Sequence, residues 1–268
     1  MNRNGKAFKI LEKTYILMRN LNDRISEKSL DEWYKTSDYP KRIQEFKNYH
    51  KGERCFIIGN GPSLNVADLE MLSNEVTFAC NKIYKIYDKT NWRPSYYVVD
   101  DRNYVKEDYY NIINTADPKI AGFIGVEYNK KIIEPYIASD RIIMKKKTIL
   151  HNGYPEWNID VDDYVCTGHT VVYVAIQLAV YMGFKEIYLL GVDCSYTSTF
   201  ENGQKGTNYF YESNNQIVQM DANNMFLAFE SAKRMMQETG VKIYNSTRGG
   251  KLETFDRVAL DELFVKKE

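Results

Sequence analysis

The stretch RCFIIGNGPSL at residues 54–64 runs from a short apolar segment into a Gly-rich turn, and a helical pattern follows at about residues 66–72. A buried strand that enters such a turn and then a helix is the opening unit of an α/β sheet. The same alternation extends along the chain. Apolar runs recur as VTFAC (76–80), SYYVVD (95–100), KIAGFIGV (119–126), RIIMK (141–145), EIYLLGVD (186–193) and KIYNST (242–247), with helical stretches between them. Continuous runs of this kind suit strands covered on both faces. The expected fold is α/β, a mostly parallel Rossmann-like sheet with helices on both faces.

The segment TVVYVAIQLAVYM (170–182) is apolar nearly all round, as a helix buried against a sheet must be. A second helix at 222–239 places Met225, Phe226, Ala228, Phe229, Ala232 and Met236 at helical spacing and ends at Gly240, a C-cap residue. Residues 6–50 read as helix, with Phe8, Ile10, Leu11, Tyr15, Ile16, Leu17 and Leu21 on one side. The expected organisation is a helical appendage at 1–50, an α/β domain at 51–250 and a C-terminal tail at 251–268. Within the domain, 194–221 is polar with embedded aromatics, and loops of that length usually act as lids.

Among 268 residues, 36 Lys+Arg balance 36 Asp+Glu, and 44% are hydrophobic. This excludes disorder and argues against a broad nucleic-acid footprint, leaving room for a local basic patch. No apolar run approaches the roughly 20 residues of a membrane span. The N-terminus has neither a long apolar region nor a small-residue cleavage site, so a cytoplasmic location is expected. Lys6, Lys9, Lys13 and Arg19 beside the apolar face at 6–21 suit peripheral contact with the inner face of an anionic membrane. Packing on the main domain or on a second copy in a homo-oligomer is the simpler alternative. Cys55, Cys80, Cys166 and Cys194 form no CxxC pair and read as buried free thiols. The 22 tyrosines are of a kind that line sites for sugars and bases.

Ligands of open parallel sheets bind at the carboxyl ends of the strands. Gly59-Asn60-Gly61-Pro62-Ser63 is there a phosphate-loop candidate. Leu64 in place of a third Gly separates it from the dinucleotide fingerprint, and no GK[ST] follows; a tight turn with no ligand explains it equally. Ser63 suits a helix N-cap. Asn81 follows the second strand. Asp100 and Asp101 end the third, where they can hold Mg²⁺ or Mn²⁺ or simply cap a helix. Asp160, Asp162 and Asp163 read as a solvated loop. Thr167-Gly168-His169-Thr170 opens the most apolar helix, whose dipole favours an anion. Of His50, His151 and His169, only His169 falls at such a position, as a proton shuttle, an anion ligand or a cap. Asp193, followed by Ser195 and Tyr196, can bind a ribose, act as a base or cap its loop.

As a set, IIGNGPSL, ACNKIY, the TGHTV helix start and MGFKEIYLLGVDCSY resemble the bacterial sialyltransferases of glycosyltransferase family 42. They equally resemble the wider domain-of-unknown-function 115 group, which includes archaeal 6-hydroxymethylpterin diphosphokinases. The resemblance covers roughly residues 53–247 and implies a nucleotide-binding α/β domain that holds CMP. It implies that Gly59, Asn60, Gly61 and Ser63 meet the phosphate or ribose, that Asn81 meets the nucleotide or its sugar, and that Thr167, Gly168 and Thr170 lie near the ribose or phosphates. Asp193 would sit close to the nucleotide, and Tyr196 and Tyr209 would assist the leaving phosphate. In the sialyltransferases a lid His is the base and no metal is strictly needed. Here the matching place holds Asn208-Tyr209, and the lid has no His; since Asn and Tyr are poor bases, transfer would rely on His169 or Asp193, or use an acceptor that needs little base catalysis.

The expected function is transfer of a sialic-acid-like sugar from a CMP-sugar to a bacterial surface glycan, capsule or lipid-linked glycan acceptor. The alternatives are an ATP diphosphokinase for a pterin-like alcohol, with Mg²⁺ at Asp100, Asp101 and Asp193, and a nucleotide- or glycan-binding protein without catalysis.

Overall fold

The computed structural model describes residues 25, 28–115, 121–126, 134, 136, 137, 139, 141–195, 208–211 and 222–265. The amphipathic segment expected at 6–21, Tyr196 and most of the lid lie outside the described residues.

Every apolar run named above forms a strand: β1 (Arg54–Ile58), β2 (Thr77–Cys80), β3 (Tyr96–Val99), β4 (Ala121–Val126), β5 (Ile142–Lys147), β9 (Glu186–Leu190) and β10 (Lys242–Asn245). Two-residue strands β6 (Leu150–His151), β7 (Tyr154–Pro155), β8 (Val165–Cys166) and β11 (Asp256–Arg257) complete the set. The main sheet has nine strands in the order β11-β10-β9-β1-β2-β3-β4-β5-β8. All its neighbours pair in parallel, while β6 and β7 form a separate antiparallel hairpin.

Ile57 of β1 sits in register between Phe78 of β2 and Leu189 of β9, and all three are fully buried. Each such side chain contributes about 1.5–3 kcal/mol by leaving water. The helices are α1 (28–36), α2 (Tyr39–Gln44), α3 (Val66–Met71), α4 (Arg102–Glu107), α5 (Tyr109–Thr115), α6 (Val171–Tyr181) and α7 (Ala222–Thr239). The apolar α6 packs against β1, β2 and β3. Thr170 caps it by accepting from the Val172 amide at 3.3 Å. At its other end the amides of Asn48 and His50 donate to the carbonyls of Tyr181 and Met182 at 3.1 and 2.8 Å. Gly240 closes α7 with φ +68° and an amide bond of 2.9 Å to the Met236 carbonyl.

Charge ties the N-terminal helices to this layer. Lys145 of β5, whose side chain is 2% exposed, pairs with Asp31 of α1 at 3.1 Å and with Asp163 at 3.0 Å. Asp162 accepts from Gln44 of α2 at 2.7 Å and from the Tyr181 hydroxyl at 3.1 Å. Asp160 and Asp163 are exposed as expected of a solvated loop, while Asp162 and Asp163 also help anchor α1, α2 and α6. The segment expected as a tail after residue 250 supplies β11 and buries Leu252, Phe255 and Leu260. All four cysteines are free and buried. Among the described residues, no helix is long and apolar enough to cross a membrane.

Candidate active site at the switch between β1 and β9

The chain lays β2 to β5 on one side of β1, then returns through α6 to place β9 on the other. In an open α/β sheet the crevice at such a reversal, beyond the carboxyl ends, is where ligands bind. The turns after β1 and β9 are fastened together there. The amides of Gly59 and Gly61 donate to the carbonyls of Leu190 and Gly191, both at 2.8 Å. A Cβ on Gly59 would lie 2.4 Å from the Gly191 carbonyl oxygen, and one on Gly61 would lie 1.8 Å from Asp193 Oδ2. Both glycines are there for close approach.

Asp193 is the centre of this junction. Its Oδ2 accepts from the Ser63 hydroxyl at 2.8 Å, and its carboxylate also accepts from the Ser63 backbone. The Lys251 amide donates to its carbonyl at 2.7 Å. Gly250, at φ +76°, lies so close that a Cβ would fall 2.7 Å from that oxygen. Burial pushes the Asp193 carboxyl above its ordinary value, and the Ser63 bonds pull it partly back. The amides of Gly59, Gly61 and Ser63, expected to cradle a phosphate, are thus engaged by β9 and by the Asp193 carboxylate. Ser63 is also not the helix cap. Asn65 caps α3, accepting from the Asp68 amide at 2.9 Å, and Asp68 is held by Arg248 at 2.8 Å.

What the junction leaves free is a pair of acceptors. Asn60 Nδ2 donates to the Cys80 carbonyl at 2.9 Å, which fixes the amide orientation and leaves Oδ1 buried without a partner among the described residues. Asn81, at φ +45°, uses its carbonyl to accept from the Tyr97 hydroxyl, and its Oδ1 is likewise buried and unpartnered. A buried acceptor left unsatisfied costs about 1–3 kcal/mol. Two of them on neighbouring strand ends call for hydroxyl or amine donors.

The described part of the lid, 208–211, closes over this corner. The Phe210 amide donates to the Asn60 carbonyl at 3.0 Å. Tyr209 and Tyr211 stack at 5.1 Å with 12° between planes, and both exchange hydrogen bonds with Tyr104. Lys85 lies 4.9 Å above Tyr211 and Lys82 lies 4.3 Å above Tyr104. Burial drives the Tyr104 and Tyr211 hydroxyls far upward, so both remain protonated donors.

The alternative cation site is differently occupied. Lys146 Nζ lies 2.9 Å from Asp100 Oδ1 and donates to the Asp100 carbonyl at 2.9 Å. It reaches there from β5 across β4, over Gly125, where a Cβ would stand 2.6 Å from Asp100 Oδ1. Asp101 caps α4 by accepting from the Tyr104 amide at 3.1 Å. Asp100 is neutralised and Asp101 is a cap, so this pair does not offer Mg²⁺ two free carboxylates.

The start of α6 reaches the same side of the sheet by topology. Thr167 shares a hydroxyl bond of 2.9 Å with Thr148, and Gly168 packs where a Cβ would meet Ala228 and Tyr173 at 2.6 Å. His169 is exposed at φ +57°. The structure brings Gly59, Asn60, Gly61, Ser63, Asn81, Asp193 and Tyr209 to one corner; among the described residues no hydrogen bond joins Thr167–Thr170 to it. Sequence reasoning missed Tyr104, Lys146, Gly250 and Lys251. Only strand alternation within Lys145-Lys146-Lys147, which turns the middle residue to the opposite face, carried a signal.

The profile of the family described as 6-hydroxymethylpterin diphosphokinase MptE-like matches residues 28–199. Among solved structures, the MAf glycosyltransferase from Magnetospirillum magneticum AMB-1 superposes with a TM-score of 0.50 at 14% identity, over 85% of this chain and 39% of that one. The chain therefore spans about two fifths of that enzyme's length. The sialyltransferase CstII from Campylobacter jejuni bound to cytidine-5'-monophosphate gives a TM-score of 0.47 at 18% identity, over 78% and 86% of the two chains. Its complex with CMP-3FNeuAc gives 0.49 at 17%, over 77% and 86%. No curated protein sequence matches the chain. At 14% identity the likeness to the MAf glycosyltransferase is one of fold, the mostly parallel α/β fold expected from the sequence, whereas the profile covers most of the chain. The chain belongs to the 6-hydroxymethylpterin diphosphokinase MptE-like family.

Proposed function

We propose that the protein is a glycosyltransferase that moves a sialic-acid-like sugar from a CMP-activated donor to a glycan or lipid-linked glycan acceptor of the bacterial surface. The observation that carries this reading is the pair of unpartnered acceptors, Asn60 Oδ1 and Asn81 Oδ1, at the β1/β9 switch point. They suit the hydroxyls of a ribose or the exocyclic amine of a base, and the phosphate then falls to the lid side, near Tyr209 and Lys85. The fold shared with the MAf glycosyltransferase agrees with it.

In this reading the acceptor hydroxyl oxygen attacks the anomeric carbon while the bond from that carbon to the phosphate oxygen breaks. The electron pair leaves with CMP. Tyr209 and Tyr196 donate hydrogen bonds to the departing phosphate, the kind of stabilisation that lowers such barriers most. The acceptor proton goes to Asp193, whose burial raises its basicity, or to His169. This reading requires no metal. Work on the cytoplasmic face of the membrane, with contact through residues 6–21, would give access to lipid-linked acceptors; assembly as a homo-oligomer belongs to the same proposal.

The family match favours a second reading, diphosphate transfer from ATP to a pterin-like alcohol with Mg²⁺. It needs Asp100 and Asp101 to leave Lys146 and the α4 cap. A thermal-shift panel of CMP, CDP, UDP, GDP, AMP and ATP with and without Mg²⁺ separates the two, because a ligand of the native state raises Tm. CMP or CDP stabilising without metal, followed by turnover of a CMP-sugar, supports the transferase. ATP stabilising only with Mg²⁺, followed by AMP release, replaces it with the kinase. Binding of CMP without turnover of any CMP-sugar leaves a nucleotide-binding protein.

A further inference from the structure

Away from that corner, an open cavity lies where the β6–β7 hairpin meets α7. It has a volume of about 210 Å³, and its walls include Tyr154, Glu156, Trp157, Ser231, Arg234 and Glu238. That is less than the roughly 300 Å³ at which drug-sized pockets begin, and it is of the order of a single sugar ring.

Its chemistry is mixed in a specific way. The Arg234 guanidinium lies 3.9 Å from the centre of the Tyr154 ring. It forms no ion pair with a described residue, although Glu230 and Glu238 stand one turn away on the same helix. A guanidinium stacked on an aromatic ring keeps its in-plane N–H donors available for a carboxylate. The Trp157 and Tyr173 rings meet edge to face with centroids 5.5 Å apart, and the Trp157 indole N–H is a buried donor without a partner among the described residues. Glu156 is held in place by His151 at 2.8 Å and by the Tyr164 hydroxyl at 2.7 Å. A cation without an ion-pair partner among the described residues, aromatic surface and carboxylate acceptors thus share a cavity of one-ring size.

We propose that this cavity is a saccharide subsite for one carboxylate-bearing sugar. Arg234 takes the carboxylate, Glu156 and Glu238 accept from ring hydroxyls, and the aromatic side chains cover the apolar C–H face. A bare phosphate would use Arg234 and leave the aromatic wall idle. That this sugar is a unit of the acceptor glycan, bound away from the reaction centre, rests on the transferase reading; that the cavity binds an acidic sugar does not.

The test is calorimetry and saturation-transfer NMR on the full chain. Glucuronic acid and N-acetylneuraminic acid are the probes, with glucose and inorganic phosphate as controls. The acids are expected to bind at least tenfold more tightly than glucose and to resist displacement by equimolar phosphate. Arg234→Ala, at an exposed helix position, should remove that preference while the CMP thermal shift and the melting temperature stay as in the unaltered protein. Trp157→Phe should weaken both acids. Equal binding of acid and glucose, displacement by equimolar phosphate, or unchanged acid affinity in Arg234→Ala would each overturn the subsite. Failure of CMP to bind while the acids still do would overturn the transferase reading alone.

Discussion

Ser63 and Asp193 stand 130 residues apart in the chain and share a hydrogen bond of 2.8 Å that locks the turn after β1 onto the turn after β9. Gly61 lies beneath that bond, with room for nothing larger than hydrogen: a Cβ would overlap Asp193 Oδ2 at 1.8 Å. Gly61→Ala should therefore displace Asp193, lower stability by about 1–3 kcal/mol as overpacking does, and weaken nucleotide binding. Urea denaturation and a binding titration measure both; unchanged stability would mean that the two turns are not held as described.

The pH dependence follows from Asp193. Because burial raises its folded value, the native state keeps the proton to a higher pH than the unfolded chain does. Stability from this group is therefore greatest below its ordinary value of 3.8 and declines as pH rises through the folded value. Asp193→Asn should flatten that part of the stability profile. A profile identical to that of the unaltered protein between pH 4 and 7 would count against the assignment.

Asn60 has a structural bond and a free acceptor on one amide. Asn60→Ala should lower stability by about 1 kcal/mol, the net worth of the bond to Cys80, and weaken nucleotide binding at least tenfold, about 1.4 kcal/mol. Asn60→Asp should be more destabilising at neutral pH, since it sets a carboxylate oxygen against the Cys80 carbonyl. Equal stability of the Ala and Asp variants would show that the amide does not face Cys80.

Lys146 and Asp100 form a buried pair, with side chains 8% and 12% exposed. Removing one partner of such a pair costs about 3–5 kcal/mol. Lys146→Met should fall in that range, and adding Asp100→Asn should recover much of the loss. If the double variant is as unstable as the single one, Lys146 acts through some other contact.

The thiols offer a test of the core. Cys55, Cys80 and Cys166 have no exposed surface and Cys194 is 4% exposed. Burial pushes the Cys166 and Cys194 thiols up to about 12. All four should ignore an aromatic disulfide reagent in the native protein and react together on unfolding. A fast-reacting thiol in the native state would place at least one of them on the surface.

The central strands were legible because β1, β2, β3 and β9 bury both faces and so read as unbroken apolar runs. β6, β7, β8 and β11 are two residues long and carry no such run. At the site, spacing located the turn after β1 but not the use of its donors. Ser63 and Asn65 are both good caps, and only the observed start of α3 at Val66 assigns the role to Asn65. The partner that takes Ser63 instead comes from β9, a relationship that no local pattern encodes. Asp100 was visible as a strand-end acid, whereas its neutralisation by Lys146 depends on Gly125 of the intervening strand having no side chain.

The position of β1 has a consequence for how the protein is made. In the finished sheet β1 is flanked by β2 and β9, but β9 is translated only after more than a hundred further residues have left the ribosome. Throughout that interval one side of β1 has unpaired amides and carbonyls, as any unprotected sheet border does. A nascent chain holding β1 to β5 is thus a template for wrong pairing with a second nascent chain. The candidate corner and the safest form of the sheet arise in the same late event, the insertion of β9.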